Sequence, residues 1–443
     1  MSALAQMLAR QGLKVSGSDL HTSPITDELR GFGVRIHEGH AASNVNGAEC
    51  VVFSSSISGT NPEVAEARRR NIPVLHRSEV LALVSAEKWS AAVSGSHGKS
   101  TTTGLLGWIY AQCGREPTVI VGARSRQLGG NFMAGNGSRV IFEADESDAS
   151  FLRYRPDAII VTNMDSDHLD TFGDMEGLYK NFRSFVDQLK PGGRWFGCGE
   201  CSYTARLLKE RPKGASSYGF DPRWDFSAQN VELRGEAGSR FDLWAKGERL
   251  GEARTRLFGK HNALNVTAAM ALALSDGLEF SEVNAAVESY AGTARRFDIL
   301  LQNENLIVVD DYAHHPTEIR RTLEAARGFS PRRLLVVFQP HRYSRTHHFY
   351  KAFAQSFEGV DELILTEVYG AGEKNGFDVC SKMIYEEMRS HGSRNVRVMD
   401  KKEIITYLMS KPDPQGIVTF VGAGDIGDVA DEFANRFKNL ATA

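Results

Sequence analysis

The stretch Ala91 to Thr101, Ala-Ala-Val-Ser-Gly-Ser-His-Gly-Lys-Ser-Thr, constrains the fold more than any other part of the chain. A short apolar run ends in a tight glycine turn, and Lys-Ser-Thr opens the helix that follows. That is the layout of a phosphate-cradling loop. Backbone N–H groups and a helix N-terminus face the anion, a lysine reaches the outer phosphates, and a hydroxyl stands ready for Mg²⁺. Gly95, Ser96, His97, Gly98, Lys99, Ser100 and Thr101 are therefore candidate nucleotide-binding residues. The common form of the loop has a glycine five residues before the Gly of Gly-Lys; here Val93 stands there, and the glycine is Gly95. A loop so shortened points away from GTPase switches and towards ATP-using ligases. A strand–turn–helix joint with a chance Gly-Lys-Ser is the bland alternative.

At 443 residues the chain exceeds one ordinary domain, and about 150 residues per domain predicts roughly three. Lys and Arg number 52 against 55 Asp and Glu, a net charge of −3, so no polybasic footprint argues for nucleic acid or a membrane surface. No signal-like segment or long apolar run stands out, and a cytoplasmic setting is expected. Cys198 and Cys201 form a Cys-x-x-Cys pair, but Cys50, Cys113 and Cys380 are scattered, so two reduced thiols near a strand end suffice.

The pattern predicts an α/β protein in three parts. Residues 1–88 alternate β runs (Lys14–Asp19, Cys50–Ser56, Ile72–Leu75) with helical stretches, implying a parallel sheet. Met1 to Arg10 reads as the helix that follows a glycine-rich loop in a nucleotide-binding βαβ unit. The strand and loop that precede such a helix are missing, and a start some 15–25 residues earlier is expected on that pattern. Residues 89–295 hold the phosphate loop and two β runs ending in acidic clusters, Val140–Asp148 and Ala158–Asn163; Ser216–Phe258 reads as antiparallel hairpins, with a helix over Asn262–Leu274. Residues 296–443 alternate strands near Leu306–Asp310, Arg333–Phe338, Glu362–Leu365, Val396–Met399 and Ile417–Val421 with helices. The turn Val421-Gly-Ala-Gly-Asp-Ile-Gly427 resembles a dinucleotide fingerprint, but a tight strand-to-helix turn explains it equally well.

Chemistry concentrates at strand C-terminal ends, where α/β sheets place their ligands. Lys99 is the point charge for the outer phosphates, and Ser100 supplies a hydroxyl for Mg²⁺. Glu143 and His168 are candidates for a second divalent ion, with loop capping as the alternative for each. The strings Val309–Thr317 and Gln339–Thr346 are dense in polar groups. Among them His341, Arg342 and Arg345 suit a carboxylate ligand, since guanidinium forks bind carboxylates bidentately. A solvated loop is the alternative there.

Taken together, Gly-Ser-His-Gly-Lys-Ser-Thr-Thr-Thr, Glu-Ala-Asp-Glu-Ser-Asp, Thr-Asn-Met-Asp-Ser-Asp-His-Leu-Asp and Gly-Lys-His-Asn-Ala-Leu-Asn resemble the Mur ligases of bacterial peptidoglycan synthesis. Arg-Arg-Phe-Asp, Asp-Asp-Tyr-Ala-His-His-Pro-Thr-Glu and Phe-Gln-Pro-His-Arg-Tyr-Ser-Arg-Thr narrow the likeness to the branch that joins L-alanine to UDP-N-acetylmuramate. The resemblance implies a Rossmann-like UDP-sugar domain, a central P-loop ATPase domain with an antiparallel portion, and a Rossmann-like C-terminal domain for the amino acid. It implies ATP and Mg²⁺ as cofactors, a monomer or homodimer, and no nucleic-acid or membrane partner. It places Asn262 and Asn265 at the adenine, Arg296 at the phosphates and Asp311 near the ribose. His314, His341, Arg342 and Arg345 would face the amino acid and the forming bond, with Lys99, His168, His314 and Arg345 catalytic. Ser18, Asp19, Ser55, Ser56 and Arg77 would contact the UDP-sugar. Ser100 stands where the family mostly carries Thr, which keeps the hydroxyl. A recycling ligase that joins a whole peptide shares much of this layout, and a nucleotide-dependent scaffold is the reading from another class.

Overall fold

The computed structural model describes residues 1–376, 378–411 and 416–441, apart from the side chains of residues 169, 170, 440 and 441. By contact the chain separates into two compact units. The first comprises residues 1–229, 242–253 and 264–290; the second comprises residues 230–241, 254–263 and 291–443.

The first part opens with a helix, Ser2–Arg10. Strand β1 (Ser16–Asp19) then pairs in parallel with β2 (Arg35–Glu38), and β3 (Val51–Phe53) with β4 (Val74–His76). The expected parallel pairing is therefore present, but as two two-stranded sheets. The pattern reading misses β2, because Arg-Ile-His-Glu shows no apolar run.

The next ten strands are β5 (Trp89–Ser94), β6 (Thr118–Ser125), β7 (Gly130–Met133), β8 (Arg139–Glu143), β9 (Ala158–Val161), β10 (Arg194–Cys198), β11 (Ala215–Gly219), β12 (Phe226–Leu233), β13 (Ser239–Ala245) and β14 (Glu248–Thr255). They form one sheet in the order β14-β13-β12-β11-β10-β9-β5-β8-β6-β7. The β5 strand is almost wholly buried, and β8 and β9 flank it in parallel. Register pairs Val93 with Glu143 and Ser94 with Val161, so three C-terminal strand ends share one edge. The hairpin expectation for Ser216–Phe258 needs correction at its start. β11 pairs in parallel with β10, and β12 in parallel with β11. From β12 on the expectation holds, because β12, β13 and β14 are sheet neighbours joined by turns of five and two residues (234–238 and 246–247), too short for a parallel crossover. Strands β6 and β7 also pair antiparallel. Aromatic residues fill the core on one side, with Phe151 packed on Phe182 and Phe185 and Trp195 fully buried.

The second unit holds β15 (Asp298–Gln302), β16 (Leu306–Asp311), β17 (Leu334–Phe338), β18 (Glu362–Leu365), β19 (Val396–Val398) and β20 (Gly416–Val421), ordered β15-β16-β20-β17-β18-β19. All pairs are parallel except β15 with β16, an edge strand that the pattern reading misses. Alternate residues of each strand feed opposite cores, as a two-sided parallel sheet requires. Val336 and Phe338 join Ile319, Leu323 and Phe353 on one face. Leu335 and Val337 join Ile404, Leu408 and Phe433 on the other. Among the described residues no helix is long and apolar enough to cross a membrane.

Candidate active site

In the first unit, β5 runs into the glycine turn and the helix Lys99–Gln112, with Gly98 at its N-cap in the left-handed region (φ +84°). A Cβ on Gly95 would lie 2.0 Å from Thr162 Oγ1, and one on Gly98 would lie 2.6 Å from Asn265 Oδ1. Both positions must therefore be glycine. The loop is tied to the end of β9. Ser96 N–H donates to the Asn163 carbonyl (3.1 Å), His97 N–H donates to Asn163 Oδ1 (3.0 Å), and Asn163 Nδ2 donates to the His97 carbonyl (3.0 Å). His97 Nε2 lies 2.9 Å from Asp165 Oδ2. Asp165 N–H donates to Ser96 Oγ at 2.9 Å. Thr101 is buried in the first helical turn.

Lys99 Nζ curls back over this loop, donating to the Gly95 carbonyl (2.7 Å), the Ser96 carbonyl (3.3 Å) and Glu146 Oε1 (2.8 Å). Burial opposes its charge, but the carboxylates of Glu146, Asp145 and Glu143 more than reverse that and keep it a cation. Burial also pushes the Glu146 carboxyl up to about 7, against the attraction of Lys99. Ser100 Oγ donates to Glu143 Oε2 at 2.8 Å, and Gly122 N–H reaches the same oxygen at 2.9 Å. A hydroxyl and a carboxylate converging beside a partly buried lysine form the hard-oxygen donor set that suits Mg²⁺. His168 lies in the separate loop that follows β9, with φ +57° and Nε2 3.5 Å from Asp167 Oδ2.

The acidic segment after β8 has two faces. Glu143 and Glu146 meet the phosphate loop. Asp145 Oδ2 takes Arg77 at 3.1 Å, and Asp148 accepts from Ser55. Ser55 Oγ also lies 2.9 Å from Nε2 of buried His76, whose other ring nitrogen meets Ser78 and Arg153. Desolvation lowers the His76 pKa. Ser56 is exposed beside this network. Ser18 and Asp19 sit elsewhere, at the end of β1. Ser18 Oγ bonds His40 Nδ1 (2.9 Å) and Glu63 (2.8 Å), and the Asp19 carbonyl accepts from Gly39 (2.7 Å). Ser55 and Arg77 are thus gathered together, and Ser18 and Asp19 form a separate pair.

In the second unit the ends of β16 and β17 carry the remaining candidates. Asp311 is buried and accepts from Ala313 N–H (2.9 Å), the Thr322 hydroxyl (2.9 Å) and Phe297 N–H (3.2 Å). Burial raises its carboxyl to about 6, and these bonds hold the loop in place. Arg296 lies over the Tyr312 ring at 5.1 Å and 3.7 Å from Glu318. His314 Nδ1 meets the Tyr312 carbonyl at 2.9 Å, and its ring centroid lies 5.6 Å from that of His341. Arg345, largely buried, places a guanidinium nitrogen 3.3 Å from His341 Nδ1. Desolvation, then the positive neighbours His314, Arg345 and Arg342, lowers the His341 pKa to about 3. Arg342 has φ +68° and ψ 135°, a region that costs a non-glycine residue about 1–3 kcal/mol. Histidines and arginines from the ends of β16 and β17 therefore meet. Asn262 Nδ2 donates to the Phe258 carbonyl at 2.7 Å, closing the helix start, whereas Asn265 sits beside Gly98.

Cys198 is buried with its thiol pushed up to about 12, and Cys201 Sγ meets both N–H and carbonyl of Met164 (3.4 and 3.5 Å). Neither forms a disulfide. Sequence reasoning missed Asn163, Glu146 and Tyr312 as individual residues, although each lay inside a string already singled out. Their roles depend on which atoms face the loop, and no linear spacing encodes that.

Comparison with known proteins follows the same chain order. Residues 1–89 match the Mur ligase family catalytic domain, residues 93–273 the Mur ligase middle domain, and residues 295–424 the Mur ligase glutamate ligase domain. The UDP-N-acetylmuramate–L-alanine ligase of Geotalea daltonii is 39% identical over 99% of this chain and 96% of its own length. That of Carboxydothermus hydrogenoformans is 39% identical, over 97% and 92%. The solved UDP-N-acetylmuramate–alanine ligase of Thermotoga maritima superposes with a TM-score of 0.85 at 29% identity, covering 99% of this chain and 96% of that one. A murein peptide ligase from Psychrobacter arcticus shares the fold, with a TM-score of 0.72 at 21% identity over 98% of this chain and 96% of its own. Phosphate loop, acidic strand ends and second-unit histidine–arginine cluster thus occur in a chain that matches such ligases almost end to end: it belongs to the Mur ligase family.

Proposed function

We propose that this protein is an ATP-dependent ligase joining L-alanine to the lactyl carboxylate of UDP-N-acetylmuramate, a step in peptidoglycan precursor synthesis. The observation that carries this reading is the pairing of Ser100 with Glu143 beside partly buried Lys99, in a chain nearly coextensive with ligases of that name. Residues 1–88 take the UDP-sugar, 89–295 take ATP and 296–443 take the amino acid.

The carboxylate attacks the γ-phosphorus and the bond to ADP breaks, giving an acyl phosphate. The amine of L-alanine then attacks the acyl carbon, phosphate leaves, and the amine loses a proton. Bringing a carboxylate to a triphosphate is repulsive, so positive charge is the first requirement. Lys99 supplies it by exchanging the Gly95 and Ser96 carbonyls for phosphate oxygens, and Arg296 adds a second cation. Ser100 and Glu143, with His168, would hold Mg²⁺, which offsets phosphate charge when bound. Asn262 and Asn265 serve the adenine and Asp311 the ribose side. His314, His341, Arg342 and Arg345 hold the amino acid and the forming bond. Ser18, Asp19, Ser55, Ser56 and Arg77 contact the UDP-sugar.

Phosphate release from ATP should require both UDP-N-acetylmuramate and L-alanine. Dependence on a tripeptide would select a recycling ligase instead, and dependence on neither would sink the enzymatic reading. Lys99→Ala should lower kcat by about 10²–10³-fold or more, with UDP-sugar binding kept. Near-normal turnover in that variant would discard the assignment.

A further inference from the structure

The segment after β18, residues 366–376, has no part in the reaction as described, yet it is bonded repeatedly to the histidine–arginine loop. Arg342 N–H donates to the Tyr369 carbonyl (2.7 Å), and Tyr369 N–H donates to the Pro340 carbonyl (2.8 Å). His341 and Tyr369 form a parallel bridge, and their rings stack at 5.7 Å with planes 11° apart. Tyr369 also lies against the last glycine turn, where a Cβ on Gly424 would come within 2.4 Å of Gln339 Oε1 and 2.6 Å of Tyr369 Cγ. Glu373 completes the clamp. Its two carboxylate oxygens accept from Ser344 N–H (3.1 Å) and Ser344 Oγ (2.8 Å), and one lies 3.9 Å from the Arg342 guanidinium.

These contacts converge on the most strained backbone in the loop. Arg342 stands at φ +68° immediately before the helix Tyr343–Ser356. A non-glycine residue persists in that region only where its surroundings over-determine it. Tyr369 fixes the N–H side of Arg342, and Glu373 fixes the residue that leads on to Arg345. We propose that Tyr369 and Glu373 are positioning residues for the amino-acid substrate, holding His341, Arg342 and Arg345 in the geometry that grips its carboxylate. The inference rests on reading those three residues as the amino-acid cradle. It also gives one glycine of the turn Val421–Gly427 a packing reason: Gly424 makes room for Gln339 and Tyr369.

The test measures KM for L-alanine, ATP and UDP-N-acetylmuramate in the full-length enzyme carrying Glu373→Ala, Glu373→Gln, Tyr369→Ala, Tyr369→Phe, Ser344→Ala or Arg345→Ala. Glu373→Ala and Tyr369→Ala should raise KM for L-alanine at least tenfold and leave KM for ATP within twofold. Tyr369→Phe keeps the stack and should stay within twofold of the parent. Glu373→Gln keeps one acceptor for the Ser344 amide and should fall between parent and alanine variant. Should Glu373→Ala fail to fold, Ser344→Ala removes only the hydroxyl arm, and a several-fold rise in the L-alanine KM is expected. If Arg345→Ala weakens L-alanine while the Glu373, Tyr369 and Ser344 variants leave its KM unchanged, the positioning role is overturned. If Arg345→Ala itself changes nothing, the cradle reading fails first.

Discussion

His341 stays neutral because its ring is desolvated and faces His314, Arg345 and Arg342, whose effect outweighs the opposing carboxylate of Glu373. An unfolded histidine gains its proton near pH 6.5, while His341 in the fold gains it only near about 3. Between those values the unfolded chain binds more protons, so stability must fall as pH drops from about 6.5 towards 3. His341→Asn removes that dependence. Its thermal midpoint should fall less than the parent's between pH 7.5 and pH 5; equal losses in both proteins would refute the argument. A neutral His341 beside a cationic Arg345 also divides their work. On the proposed function the guanidinium would supply charge for a carboxylate, while the imidazole offers a nitrogen that can accept a proton or a hydrogen bond.

At the scale of elements, the phosphate loop is only half of its own support. The other half is the end of β9, where the Asn163 side chain makes two bonds to the His97 backbone. Each such bond contributes about 0.5–1.5 kcal/mol, and about 1.4 kcal/mol is tenfold in affinity. Asn163→Ala should therefore raise KM for ATP roughly tenfold or more, with KM for L-alanine unmoved; an unaltered ATP KM in steady-state assays would contradict this. The loop was legible in sequence because strand, glycine and helix signals lie in consecutive residues. Its partner was not, because Asn163 lies 66 residues from His97 and meets it only through the parallel register of β5 and β9. The third part read cleanly for a related reason. Its strands β17, β18 and β20 are buried on both faces and appear as continuous apolar runs. Strands β2 and β15 lack that signature. The former is partly exposed and polar, and the latter is a half-buried edge. The hairpin reading after Ser216 fails only at its start, where β11 runs parallel to its neighbours, because alternation reports one exposed face and says nothing of strand direction.

For the molecule as a whole, both core clusters of the six-stranded sheet are built from residues 297–434, with Phe258 the notable contributor from earlier in the chain. Phe258 packs on Phe297 and Phe329 at 5.1 Å each. A fragment of residues 291–443 should thus fold alone and melt cooperatively by circular dichroism, weakened by about 1.5–3 kcal/mol for the missing phenylalanine. A gradual, non-cooperative melt would show that this core needs the rest of the chain. The acidic run from Glu143 to Asp148 has a different consequence, one for inhibitor design. Successive carboxylates there serve opposite neighbours, Lys99 and Ser100 on one side and Arg77 and Ser55 on the other. On the proposed function, a drug anchored to Arg77 would lean on the same six residues that also meet Lys99 and Ser100, so a resistance substitution in that run should damage the enzyme it was meant to rescue.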